Sequence, residues 1–185
     1  MNEELEVLKI VASLLDGSRI PYMVSGSIAA SYYTVPRMTR DIDVVVELKQ
    51  ADVPTFVALF KGDFYIDEGS VRSGVVERGM FNLIHNRCVI KIDFIVGSDT
   101  EFQHSAFARR QARVIDGSPV TFISAEDLVI AKMLWAKDSL SETQVSDVRN
   151  LIAGVRGLDM RYIEGWVVNL GLKKIYGVVG DERHF

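Results

Sequence analysis

Two hydrophobic periods share this chain, one of about 3.6 residues and one of two, and they alternate along its first two thirds. Leu5, Leu8, Ile10, Val11, Leu14 and Leu15 recur at helical spacing with Gly17 as a stop, so residues 3–16 predict an amphipathic helix. Residues 21–25 (PYMVS) have strand composition and run into Gly26-Ser27, after which IAASYY carries the small residues of a closely packed helix. This is a strand, tight turn and helix in succession. Residues 41–47 (DIDVVVE) form the clearest strand, with three consecutive β-branched valines behind two acids.

A helix is expected over 51–60, started by Asp52 and Pro54, and then a meander of three short strands near 64–66, 71–77 and 80–84. Residues 88–96 (CVIKIDFIV) predict another buried strand with Asp93 at its middle. A less regular stretch containing Arg109, Arg110 and Arg113 leads to VTFISAEDLVIAKMLWAKD, where Ser124 begins a capping-box pattern for a helix to about residue 137. Further helices are expected at 143–153 and over 159–180. The alternation ends near 122, which predicts an α/β (α+β) core at 1–122, a mixed sheet flanked by helices, and a helical segment at 123–185 packed on it.

Composition narrows the classes. With 185 residues, 48% hydrophobic and 25% charged, the chain can bury the core of one domain with a helical appendage, and disorder is not expected. A formal charge of −4 argues against a nucleic-acid binder driven by global phosphate attraction, while local basic patches remain available. Cys88 stands alone, so no intrachain disulfide can form, and a half-buried structural thiol in a reducing compartment is the expectation. No run of eighteen apolar residues occurs and the first residues are acidic, so a cytoplasmic chain without membrane association is expected. His85, His104 and His184 are dispersed and lack zinc-ligand spacing.

The chemistry concentrates in the acids. Residues two apart on a strand share a face, so Asp41 and Asp43 stand side by side while Ile42 faces the opposite layer. Asp93 joins them if its strand is a neighbour. Three uncompensated carboxylates would repel one another, so their convergence calls for a divalent cation, Mg2+ or Mn2+, suited to hard oxygen ligands. Gly26-Ser27, at a strand-to-helix turn fifteen residues ahead of Asp41, permits close backbone approach and offers a helix N-terminus to phosphate. Arg37 and Arg40 flank the loop before the acidic strand, where a guanidinium fork can meet phosphate. The arginines at 109, 110 and 113 suit a polyanionic acceptor or a solvated surface, and Trp135 and Trp166 fall at apolar helical positions that predict core packing.

The segment SGSIAASYYTVPRMTRDIDVVV resembles the signature of the DNA polymerase β-type nucleotidyltransferase superfamily: Gly-Ser, a spacer, then Asp-x-Asp. Arg37 and Thr39 before Asp41, with Glu126-Asp127-Leu128 leading to Lys132, are similar to the AbiEii-like branch, which includes toxins of bacterial toxin-antitoxin systems. The resemblance implies that Lys132 reaches a nucleoside triphosphate and that Asp147, on the following helix, supports the site. The branch often pairs that acid with another; here Gln144 and Ser146 stand upstream.

These readings converge on metal-dependent transfer of a nucleoside monophosphate to an acceptor hydroxyl. Asp41, Asp43 and Asp93 would hold the metal, and Gly26, Ser27, Arg37, Thr39, Arg40, Lys132 and Asp147 the nucleotide. The acceptor is open between RNA or tRNA and protein, with an antitoxin as a further partner. Two alternatives share the fold: a nucleotide-binding module without turnover, and an adenylyltransferase acting on a small-molecule antibiotic.

Overall fold

The computed structural model describes residues 2–36, 39, 41–139 and 141–180. It opens with helix α1 (Asn2–Gly17), strand β1 (Tyr22–Val24), helix α2 (Gly26–Tyr33) and strand β2 (Asp41–Val46). A 3-10 turn at Gln50–Asp52 feeds α3 (Val53–Phe60), and β3 (Phe64–Tyr65), α4 (Glu68–Glu77), β4 (Met80–His85), β5 (Lys91–Val96) and α5 (Glu101–Ala108) follow. The hairpin β6 (Gln111–Ile115) and β7 (Ser118–Phe122) precedes four helices: α6 (Ala125–Ser139), α7 (Glu142–Gly154), α8 (Met160–Asn169) and α9 (Lys173–Gly180). No helix among the described residues is long and apolar enough to cross a membrane.

The chain divides into two compact units, residues 1–28 with 38–123 and residues 29–37 with 124–185. The first holds a seven-stranded mixed sheet in the order β3-β4-β5-β2-β1-β7-β6. β2 runs parallel to β5 and antiparallel to β1, and β1 is parallel to β7. On one face Ile42, Val44, Ile92 and Phe94 are wholly buried, as the alternation of β2 and β5 requires. Phe94 meets Phe56 and Phe60 of α3 edge-on, at ring-centroid separations of 5.2 and 5.7 Å, and stacks on Phe81 of β4 at 5.4 Å. This aromatic core holds β5 in register, because a one-residue slip would turn Phe94 to the opposite face of the sheet, away from its ring partners.

The strand expected at 71–77 is instead helix α4. Val71, Gly74 and Val75 are its buried residues, at helical i, i+3, i+4 spacing. Asp67 caps the start by accepting the Ser70 N–H at 2.6 Å, and Arg78, in the left-handed region at φ 48°, ends it. A helix rather than a meander therefore lies between β3 and β4. The irregular stretch after β5 also acquires order: Thr100 caps α5 through the Gln103 N–H, and Asp116-Gly117, both with positive φ, form the two-residue turn between β6 and β7.

In the second unit Leu128, Met133, Val148, Leu151, Ile163 and Leu172 are buried between the helices. Asp127 is fully buried, and two hydroxyls donate to it: Ser124 at 2.5 Å and Tyr162 at 2.6 Å. Neutral donors of this kind make a buried carboxylate tolerable. Trp135, expected in the core, is 62% exposed, and by the helical turn it lies on the side of α6 opposite the buried Met133.

Candidate active site

On the face of the sheet opposite the aromatic core, strand alternation gathers Asp41 and Asp43 of β2 with Lys91 and Asp93 of β5. The parallel register pairs Asp43 with Asp93 and Asp41 with Lys91. On the far side of β5, Asn82 of β4 is the register partner of Asp93. The row ends at β1, where the Ser25 N–H donates to the Asp43 carbonyl at 2.9 Å and the chain turns into α2.

That turn is built around a missing side chain. Gly26 has φ +59°, and a Cβ placed on it would lie 1.8 Å from Asp43 Oδ2 and 2.4 Å from Cγ. Glycine is required twice over, by the left-handed backbone and by the carboxylate packed against it. Ser27 follows in the first turn of α2 and is partly exposed.

Lys91 is the residue that sequence reasoning passed over. Its ammonium lies 2.8 Å from Asp93 Oδ2 and 3.8 Å from Asp41 Oδ1. The hydrogen bond to Asp93 holds it above the ordinary lysine value, with attraction to Asp93, Asp41 and Asp43 adding to the effect and partial burial opposing it. The signal was present: Lys91 stands two residues before Asp93, the same spacing that linked Asp41 to Asp43. Asp41 is the outermost acid, with a side chain 53% exposed against 13% for Asp93.

The donor chemistry fits a hard divalent cation in part. Asp43 and Asp93 present carboxylate oxygens from adjacent strands, and Lys91, the register partner of Asp41, sets an ammonium among the three acids. Among the described residues no group of three or more His, Cys, Asp and Glu is arranged to hold a metal ion.

The remaining candidates are placed as follows. The Thr39 hydroxyl donates to the Asp41 carbonyl at 3.3 Å and so steadies the start of β2. Arg37 and Arg40 lie outside the described residues. Lys132 and Asp147, in the second unit, come together: Lys132 Nζ donates to Asp147 Oδ2 at 2.8 Å and to Gln144 Oε1 at 3.2 Å. Both members of the pair are nearly inaccessible, at 3% and 6% of their side-chain surface, so neither is the solvated helix residue that composition alone suggests. Arg110 packs over the Phe107 ring at 4.5 Å, and Arg113 bonds Gln111 within its own strand. His85 is buried at the β4–β5 hairpin, where its Nδ1 accepts the Cys88 N–H.

A cleft of about 440 Å³ opens elsewhere in this unit, beyond the carboxyl ends of β2 and β5, bordered by Glu47, Lys49, Arg78 and Asp99. Glu47 stands four positions beyond Asp43, just past the end of β2 and roughly 13 Å further along the chain, so this cleft is distinct from the carboxylate face.

No protein-family model and no functionally curated protein matches the sequence. Solved structures do. The chain is similar over 100% of its length, and 99% of the other chain, to the antibiotic-resistance factor ANT(2'')-Ia, with a TM-score of 0.62 and 16% identity. It is similar over 94% of its length, and 89% of the other chain, to an antigenic nucleotidyltransferase-like protein from Paracoccidioides brasiliensis (TM-score 0.56, 17% identity). A third match, the lincomycin-bound lincosamide antibiotic adenylyltransferase LnuA, covers 82% of this chain and 96% of the other (TM-score 0.54, 14% identity). The signature segment, the mixed sheet and these structural likenesses agree: the chain has the nucleotidyltransferase fold.

Proposed function

We propose that this protein transfers a nucleoside monophosphate from a nucleoside triphosphate to a hydroxyl of a small-molecule acceptor. The observation that carries the reading is the register of Asp43 with Asp93 on adjacent parallel strands, beside a glycine turn pressed against Asp43. Asp43 and Asp93 would hold magnesium or manganese, with Asp41 at the exposed edge as a further oxygen donor. Bound there, the ion would neutralise charge on the phosphates and on the departing pyrophosphate.

The chain's own groups supply the rest. Gly26 lets the backbone approach the phosphates closely, and Ser27 adds a hydroxyl donor at the start of α2. Asp93, less exposed than Lys91 beside it, would orient the acceptor hydroxyl and take its proton as the bond to phosphorus forms. The Lys132–Asp147 pair serves as a brace between α6 and α7.

A small-molecule acceptor is favoured over RNA on two grounds. ANT(2'')-Ia, an antibiotic-resistance factor, and LnuA, a lincosamide antibiotic adenylyltransferase, are matched over 99% and 96% of their own chains. The exposed arginines also have local partners, Arg110 on Phe107 and Arg113 on Gln111, rather than forming an open basic track. A cytoplasmic site of action belongs to the same proposal.

The test is to incubate purified protein with each α-labelled nucleoside triphosphate and magnesium, against aminoglycosides, lincosamides, total RNA and no acceptor. Label on an antibiotic supports the reading. Label on tRNA would move the assignment to the toxin-like alternative, with an antitoxin as partner. Nucleotide binding without transfer to any fraction would leave a binding module.

A further inference from the structure

We propose that Lys91 is a tethered counter-ion, holding the cation position between β2 and β5 and giving it up when a divalent metal arrives. The inference rests on the reading that Asp43 and Asp93 form a metal site, and adds a residue and a form of regulation to it. Three carboxylates on one sheet face would repel in the absence of a cation, and Lys91 supplies a positive charge from within the cluster itself. Its Nζ hydrogen-bonds Asp93 at 2.8 Å and lies 3.8 Å from Asp41, so it bridges two of the three acids.

The same contact opposes a metal. An ammonium donating to Asp93 Oδ2 takes up a lone pair that an incoming ion needs, and a positive charge one ligand away repels a second one. Lysine suits a displaceable counter-ion. Its charge sits at the end of a flexible four-carbon stem, and here the side chain is 40% exposed, so it has a path into solvent. An arginine would engage the carboxylate through a fork and resist displacement. The folded protein is thereby compensated when empty and binds metal more weakly than its acids alone would. Tight occupancy then requires the charge of a nucleoside triphosphate, which also offers the released ammonium a new anionic partner.

The experiment measures Mn2+ binding by calorimetry and by electron paramagnetic resonance, without turnover, on the wild type, Lys91→Met, Lys91→Gln and Lys91→Arg. Removing the charge is expected to tighten Mn2+ binding roughly tenfold in both neutral variants. Lys91→Arg should bind no more tightly than wild type. Melting in EDTA should fall in the neutral variants, with the difference closing in saturating Mg2+. Unchanged or weaker Mn2+ binding by folded Lys91→Met and Lys91→Gln, with the wild type binding normally, would overturn the role of Lys91 and leave the metal site standing. No Mn2+ uptake by any variant, with or without a non-hydrolysable nucleotide, would overturn both.

Discussion

Replacing Gly26 by alanine tests the architecture of the site at its tightest point. The added Cβ would fall 1.8 Å from Asp43 Oδ2, short of an ordinary 3.4 Å contact by about 1.6 Å, and 2.8 Å from Asp43 Cβ. Two costs add. Holding alanine at φ +59° costs about 1–2 kcal/mol, because Cβ crowds the neighbouring carbonyl. Driving the Asp43 carboxylate away from its rotamer costs roughly 0.5–1.5 kcal/mol more. The sum, about 2–3 kcal/mol, corresponds in a chain of this length to a fall in Tm of roughly 4–12 °C, readable by circular dichroism. If Asp43 acts as proposed, displacing it by an ångström or more should lower nucleotidyl transfer about a hundredfold. Repeating Gly26→Ala in an Asp43→Ala background separates the terms, since the carboxylate clash is then gone and only the backbone penalty and the 2.8 Å contact remain. A Gly26→Ala protein that melts with the wild type would refute the reasoning, as would an equal penalty in both backgrounds.

Asp43→Asn should reduce transfer by about two to three orders of magnitude while leaving the melting point in metal-free buffer unchanged or higher, since one of three clustered charges is removed; undiminished transfer would remove Asp43 from the mechanism. Lys132→Met removes the ammonium bonded to Asp147 in a nearly closed environment, so urea denaturation should show a loss of about 3–5 kcal/mol, and Lys132→Met/Asp147→Leu should recover most of it. A single variant as stable as wild type would show that the buried pair is dispensable. Tyr22 gives a pH prediction: burial foremost, with the nearby Asp16 carboxylate, pushes its phenol up to about 12 from 10.0. The folded state keeps a proton that the unfolded state releases near pH 10, so this contribution is complete below pH 10 and lost between pH 10 and 12. Melting followed from pH 8 to 12 should therefore fall more steeply for wild type than for Tyr22→Phe, and parallel curves would count against it.

Much of the architecture was written locally. The valine run of β2, the Asp-x-Asp spacing, the glycine turn and the capping of α6 each depend on residues a few positions apart, and local propensity and periodicity suffice to find them. The strand expected at 71–77 failed for a related reason. Its β-branched residues favour strand in isolation, but Asp67 provides a cap and the burial of Val71, Gly74 and Val75 rewards helical spacing, so tertiary packing overrode propensity. Trp135 was misplaced because α6 is apolar over most of its surface, which leaves periodicity little power to say which side faces out.

By itself the sequence determined which residues could do chemistry and which of them share a strand face, because alternation is a property of the strand alone. It could not determine the pairing between strands fifty residues apart. The sheet order put β5 beside β2 in a parallel register that sets Asp93 against Asp43 and Lys91 against Asp41. Helix packing likewise joined Lys132 to Asp147 across fifteen residues of chain. Neighbours along the chain fix direction, but only the fold fixes distance, and the electrostatics of this site depend on distance.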